Sequence, residues 1–137
     1  MTLTKSTPDH VLIVDDQEYT LESARAVMES VGYEVATLSD PTKALQLLHD
    51  FREGPNPIDL VITDLIMPER EGLETITRLR QSTRMLPIIA ISGGGRIGAD
   101  DYLESAAQLG ANATISKPFN RSDLVSTVSE LLATSGG

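Results

Sequence analysis

The chain contains no cysteine, which removes disulfide and thiolate chemistry and makes the cytoplasm the expected setting. No apolar run approaches the roughly 18 residues that a membrane-spanning helix needs, so insertion in a bilayer is not expected. Met1 to Asp9 lack a basic stretch followed by an apolar core and a cleavage site, so they do not read as a signal peptide. Positive charge is scarce as well: 11 Lys and Arg stand against 20 Asp and Glu, for a net charge of −9. That balance opposes a sequence-independent grip on DNA, which depends on cations that neutralise phosphates. Proteins or cations are the expected partners, and direct contact with nucleic acid is not expected. A length of 137 residues leaves no room for a second folded domain, yet it suffices to bury one core without covalent staples. What is present, 40 % apolar and 23 % charged residues, is the balance of a globular domain.

Short apolar runs alternate with stretches of helical periodicity. The runs are Val11 to Val14, Glu34 to Leu38, Leu60 to Thr63, Ile88 to Ile91 and Ala113 to Ser116, a rhythm that reads as repeated βα units. Between and after them, apolar residues recur at helical spacing in Leu21/Ala24/Met28/Val31, Ala44/Leu48/Phe51, Leu73/Ile76/Leu79, Leu103/Ala106/Ala107 and Leu124/Val128/Leu131, each set forming a stripe able to cover a sheet. Punctuation agrees. Asp40-Pro41 suits an N-cap followed by proline in the first turn, Gly32 and Gly110 suit C-terminal caps, and Gly54-Pro55-Asn56-Pro57 marks a loop. The expected organisation is an N-terminal extension over residues 1–9, one domain over 10–133 and a frayed tail over 134–137.

The runs also differ in a way that orders the sheet. Val11 to Val14, Leu60 to Ile62 and Ile88 to Ile91 are continuously apolar, as parallel strands covered on both faces are. Those holding Glu34, Thr37, Thr114 and Ser116 are mixed and belong at the edges. With short right-handed connections this predicts a flavodoxin-like, doubly wound (βα)5 fold with strand order 2-1-3-4-5, whose crevice lies between strands one and three.

Polar residues stand where these runs end: Asp15-Asp16 after the first, Asp64 after the third, Ser92 after the fourth and Lys117 after the fifth. In a parallel sheet all these ends share one edge, so residues distant in sequence converge. Capping of the following helix alone would account for Asp15-Asp16, and a loop carboxylate with a surface partner for Asp64 and Lys117; the convergence of all of them is what those explanations lack. Three crowded carboxylates repel unless a cation sits among them. With oxygen ligands and neither His nor Cys, a hard divalent ion such as Mg²⁺ fits best. His10 and His49 lack neighbouring acids at metal-ligand spacing and are expected at the surface, whereas Phe51 and Phe119 are expected in the core.

At this level of detail the chain resembles the receiver domains of two-component response regulators from about His10 to Leu132. The matching stretches are Leu12-Ile13-Val14-Asp15-Asp16, Asp64-Leu65-Ile66-Met67-Pro68 with Gly72, Ile91-Ser92-Gly93, Gly110-Ala111 and Lys117-Pro118-Phe119. The resemblance implies that Asp64 is the phosphoacceptor, that Asp15, Asp16, Asp64 and the Ile66 carbonyl hold Mg²⁺, that Ser92 is the switch hydroxyl and that Lys117 contacts the phosphoryl group. It implies a sensor histidine kinase or histidine phosphotransfer protein as donor, an unknown downstream protein as target and a signalling role instead of an enzymatic one. A cis bond before Pro118 is often found in such domains. Lys117, taken as a solvent-side residue, is expected to contribute little to folding. Two departures stand out: Thr114 occupies the place of a usual switch aromatic, and Gly93-Gly94-Gly95-Arg96-Ile97-Gly98 is unusually rich in glycine. Ile66 and Gly94, at the positions that tune hydrolysis in the family, cannot hold a water by their side chains, which implies a long-lived phosphorylated state.

Three alternatives compete. An aspartate-nucleophile phosphatase would need a second acid where Ile66 stands. A flavin carrier would need a hydroxyl- and glycine-rich loop in place of the phosphate-repelling Asp15-Asp16-Gln17-Glu18. A degenerate receiver used only as a scaffold is favoured by Thr114 but opposed by the intact acids, Ser92 and Lys117.

Overall fold

The computed structural model describes residues 8–64, 69–83, 85–93, 107 and 110–135. Its strands are β1 (His10–Val14), β2 (Glu34–Leu38), β3 (Leu60–Asp64), β4 (Ile88–Gly93) and β5 (Ala113–Lys117). Its helices are α1 (Glu18–Ser30), α2 (Ala44–Arg52), α3 (Glu69–Ser82) and α4 (Arg121–Ser135). The strands form one parallel sheet in the order β2-β1-β3-β4-β5. This is the expected flavodoxin-like topology, and the reason is visible in burial. Every residue of β1 and β3 is buried, while Glu34 of β2 and Thr114 and Ser116 of β5 are exposed. The mixed strands take the edges because only there can one flank of the strand meet water.

Strand alternation divides the core in two. Leu12 and Val14 face one side and pack with Ala44, Leu48, Ile76 and Leu79 of α2 and α3. Val11 and Ile13 face the other and pack with Leu21, Ala24, Met28, Leu124 and Val128 of α1 and α4. Burying each of these side chains stabilises by roughly 1.5–3 kcal/mol for the larger ones, which fixes the sheet between two helical layers. Of the residues that the sequence periodicities mark, Leu21, Ala24 and Met28 of α1, Ala44 and Leu48 of α2, Ile76 and Leu79 of α3 and Leu124 and Val128 of α4 face the core. The stretch containing Leu103 and Ala106, the glycine-rich run from Gly94 to Gly98, and Ile66 lie outside the described residues.

Helix ends follow local chemistry. Asp40 Oδ1 accepts from the Thr42 amide at 3.0 Å and from its hydroxyl at 2.6 Å, capping a 3₁₀ turn, Pro41–Lys43, that leads into α2. Those bonds, the hydroxyl first, hold the Asp40 carboxyl below its ordinary pKa. Two expectations fail here. Val31 is the C-cap of α1 and 38 % exposed, not a member of its buried stripe, because Gly32 turns the chain at φ +102° directly after it. His10 is not a surface residue but only 3 % exposed. Its Nδ1 lies 2.7 Å from the Asn56 carbonyl, its amide donates to Asp59, and its ring meets Phe51 edge-on at 4.8 Å. From the α2–β3 loop, Asn56 satisfies the imidazole and Asp59 the amide, which allows His10 to start an interior strand. His49 is exposed as expected.

Gly110, at φ +123°, precedes β5 against Arg80 of α3. The Arg80 guanidinium donates to the Gly110 carbonyl through Nε and Nη2, to Asn112 Oδ1 and to the Thr83 carbonyl, while burial lowers its pKa. A Cβ on Gly110 would meet Arg80 Cγ and Nε at 3.0 Å, whereas one on Gly32 would meet nothing within 4 Å. Both substitutions carry the backbone penalty of about 1–2 kcal/mol, and only the first also disturbs the Arg80 bonds. Urea unfolding is expected to show Gly110→Ala less stable than Gly32→Ala by about 1 kcal/mol or more; equal losses would show that Arg80 yields freely.

Candidate metal and phosphoacceptor site

The C-terminal ends of β1, β3 and β5 place their acids and lysine on one sheet edge. β1 leads into Asp15, whose amide still extends the ladder by donating to the Leu38 carbonyl at 3.1 Å. Asp64 closes β3 in register with Ile91 of β4, and Lys117 closes β5 beside Gly93. Both residues, with Ser92, belong to the strands themselves instead of following them, since the ladder continues one or two residues past the apolar runs. Ser92 lies opposite Ser116, one position before the Gly93–Lys117 pair.

Oxygens of Asp15, Asp16 and Asp64 lie within 4.8 Å of one another. Asp15 and Asp64 are each 2 % exposed, whereas Asp16 is open to solvent. Capping does not account for them. The N-cap of α1 is Gln17, whose side chain caps no backbone amide of the helix, and Asp15 Oδ1 instead accepts from the Gln17 amide at 2.8 Å. Lys117 Nζ bridges the two buried acids, 3.0 Å from Asp15 Oδ2 and 3.4 Å from Asp64 Oδ2. Its side chain is only 15 % exposed, which corrects the expectation of a solvent-side lysine: the ammonium is drawn in because two desolvated carboxylates need a counter-charge. The Lys117–Pro118 peptide bond is cis.

The donor set suits a hard dication: carboxylate oxygens, two buried acids to hold it and an exposed third on the solvent side. Sequence reasoning identified every one of these side chains. It missed the Gln17 amide, which is backbone and carries no residue-type signal, and the preference of Lys117 for Asp15.

A doubly wound α/β domain with carboxylates and a lysine gathered at the switch point between β1 and β3 is the class that this geometry defines. A family model described as the response regulator receiver domain matches residues 11–129, and the chain belongs to that family, whose members are signalling domains. It is 31 % identical over 131 residues to the transcriptional regulatory protein CpxR of Escherichia coli, covering 89 % of this chain and 48 % of that protein. It is 30 % identical to the alkaline phosphatase synthesis transcriptional regulatory protein PhoP of Bacillus subtilis, covering 88 % and 52 %. The chain thus spans about half the length of these relatives. Among solved structures, a CheY-like receiver domain protein of Methanospirillum hungatei superposes with a TM-score of 0.80 at 25 % identity, over 95 % of this chain and 98 % of that one. A receiver domain protein of Clostridium thermocellum gives 0.80 at 28 % identity, over 93 % and 97 %. Among the described residues, no helix is long and apolar enough to cross a membrane.

Proposed function

We propose that the chain is a cytoplasmic receiver domain that accepts a phosphoryl group on Asp64 from a histidine kinase or histidine phosphotransfer protein, and that Mg²⁺ assists the transfer. Asp15, Asp16 and Asp64 would hold the ion, with the Ile66 carbonyl as a further ligand. When bound, it would supply positive charge for the phosphoryl oxygens. The observation that carries this reading is the bridge of Lys117 to Asp15 and Asp64 beside a third carboxylate. A carboxylate oxygen of Asp64 attacks phosphorus in line while the bond to the donor nitrogen breaks, and the imidazole leaves. Transfer of this kind needs positioning and charge stabilisation more than proton chemistry. Lys117, 3.4 Å from Asp64 Oδ2, would meet a phosphoryl oxygen, and Ser92, in β4, would be the hydroxyl that closes on another. Closure there would change the surface offered to a downstream protein.

Incubation with acetyl phosphate, with Mg²⁺ or with a chelator, tests the reading by intact mass. One phosphoryl unit is expected with Mg²⁺ and none with the chelator. A chain that never gains the adduct would instead be a phosphorylation-independent scaffold.

A further inference from the structure

We propose that Asn112, held by Arg80, is a positioning residue: it sets the register of the edge strand β5 on β4, and so the place of the side chains at the far end of β5. Only the effect on activity rests on the phosphoacceptor reading above, through Lys117 at that far end; the register itself does not.

In a parallel ladder, the amide and carbonyl of one residue bond two residues that lie two apart on the neighbouring strand. For Ile88 these would be Gly110 and Asn112. The Asn112 amide does donate to the Ile88 carbonyl, at 2.7 Å. The Gly110 carbonyl, however, accepts from Arg80 Nη2 at 2.8 Å and Nε at 3.2 Å, and the Ile88 amide donates instead to Asn112 Oδ1 at 2.9 Å. That oxygen also accepts from Arg80 Nη2 at 2.8 Å. One residue therefore closes on both backbone groups of Ile88, and its side chain is fixed by a guanidinium that α3 carries and the Thr83 carbonyl anchors at 3.1 Å.

A similar clamp stands directly before β3. The Asp59 amide donates to the His10 carbonyl at 2.7 Å, and Asp59 Oδ2 accepts from the His10 amide at 2.8 Å. The two clamps differ in what else holds their strands. β3 is buried throughout and pairs with β1 and β4, so its register is fixed several times over. β5 pairs with β4 alone, and Ile115 is its one buried residue. Register is weakly specified where little of a strand is buried, and a slip of two residues keeps every side chain on its own face. β5 thus depends on Asn112 for a register that β3 would keep without Asp59.

Amide hydrogen exchange and the rate of phosphorylation by acetyl phosphate with Mg²⁺ test this in the unaltered chain, Asn112→Ala, Asn112→Asp, Arg80→Met and Asp59→Ala, at a temperature where circular dichroism shows each folded. In Asn112→Ala the amides of β5 are expected to exchange at least about tenfold faster while those of β1 and β3 keep their protection. Phosphorylation is expected to slow about tenfold, within the roughly hundredfold that a misplacement of about 1 Å can cost. Arg80→Met is expected to move both readouts the same way. Asn112→Asp, which keeps an oxygen for Ile88 and for Arg80, is expected to match the unaltered chain. Asp59→Ala is expected to be less stable, with β5 exchange and phosphorylation unchanged. Unchanged β5 exchange in Asn112→Ala, or exchange quickened alike in every strand, overturns the register role. Loosened β5 with normal phosphorylation overturns the positioning role. If the unaltered chain gains no phosphoryl group, the phosphoacceptor reading fails and β5 exchange alone decides the register. Should Asn112→Ala not fold, Arg80→Met decides in its place.

Discussion

Asp64→Asn is expected to keep its fold and gain no phosphoryl mass from acetyl phosphate, a loss of at least about a hundredfold in rate, or roughly 2.7 kcal/mol of activation free energy. The amide has no anionic oxygen with which to attack, and the two neighbouring acids are poor substitutes: Asp15 is engaged by Lys117 and Gln17, and Asp16 is exposed to solvent. The same change relieves crowding among three carboxylates within 4.8 Å. Thermal unfolding is therefore expected at a temperature equal to or above that of the wild type, as when function is bought at some cost in stability. A variant that still gains the adduct at wild-type rate would move the acceptor elsewhere. One that unfolds at a markedly lower temperature would show the Asp64 carboxylate to be a net stabilising group.

Lys117→Ala is expected to act on both chemistry and folding. Loss of the ammonium facing Asp64 removes charge stabilisation from the transfer, an effect on the order of 10²–10³ in rate for a preorganised donor. It also leaves Asp15 and Asp64, each 2 % exposed, without their shared counter-charge. Removing one partner from a buried pair costs about 3–5 kcal/mol, and the open third side of this site should reduce that figure. A drop of several degrees in unfolding temperature is expected in chelator, with recovery on addition of Mg²⁺. A stability unchanged in chelator would mean that Lys117 is as dispensable to the fold as its sequence context implies, despite its burial.

How far the fold was legible follows from the kind of signal each element carries. Val11 to Val14 and Ile88 to Ile91 read as interior strands because continuous apolar runs have few other uses at that length, and Glu34 and Thr114 marked the edges by the polarity that an interior strand cannot bear. The site was legible because parallel topology alone brings Asp15, Asp64 and Lys117 to one edge. What escaped depended on partners distant in sequence. His10 is buried because the Asn56 carbonyl meets its imidazole and the Asp59 carboxylate meets its backbone amide, and no local pattern announces where a loop will place a carbonyl. Val31 kept the helical spacing of α1 but fell one residue past its end, where Gly32 had already turned the chain. Lys117 could be assigned to the crevice, but its choice of Asp15 over Asp64 is set by tenths of an ångström.

The strand order has a consequence for how the domain is made. β1 pairs with β3 only after α1, β2 and α2 have been passed over, and every adjacent pair in the sheet is parallel and joined by a crossover. Among the described residues no tight hairpin supplies an early, local nucleus, so loops must close before the pairings form, and folding is expected to be slow relative to helical bundles of similar size. The acidic edge cannot exist until the first, third and fifth strands are all in place. The fifth strand is the last of the sheet to be synthesised, so the cluster of acids and lysine is completed all at once when that strand docks.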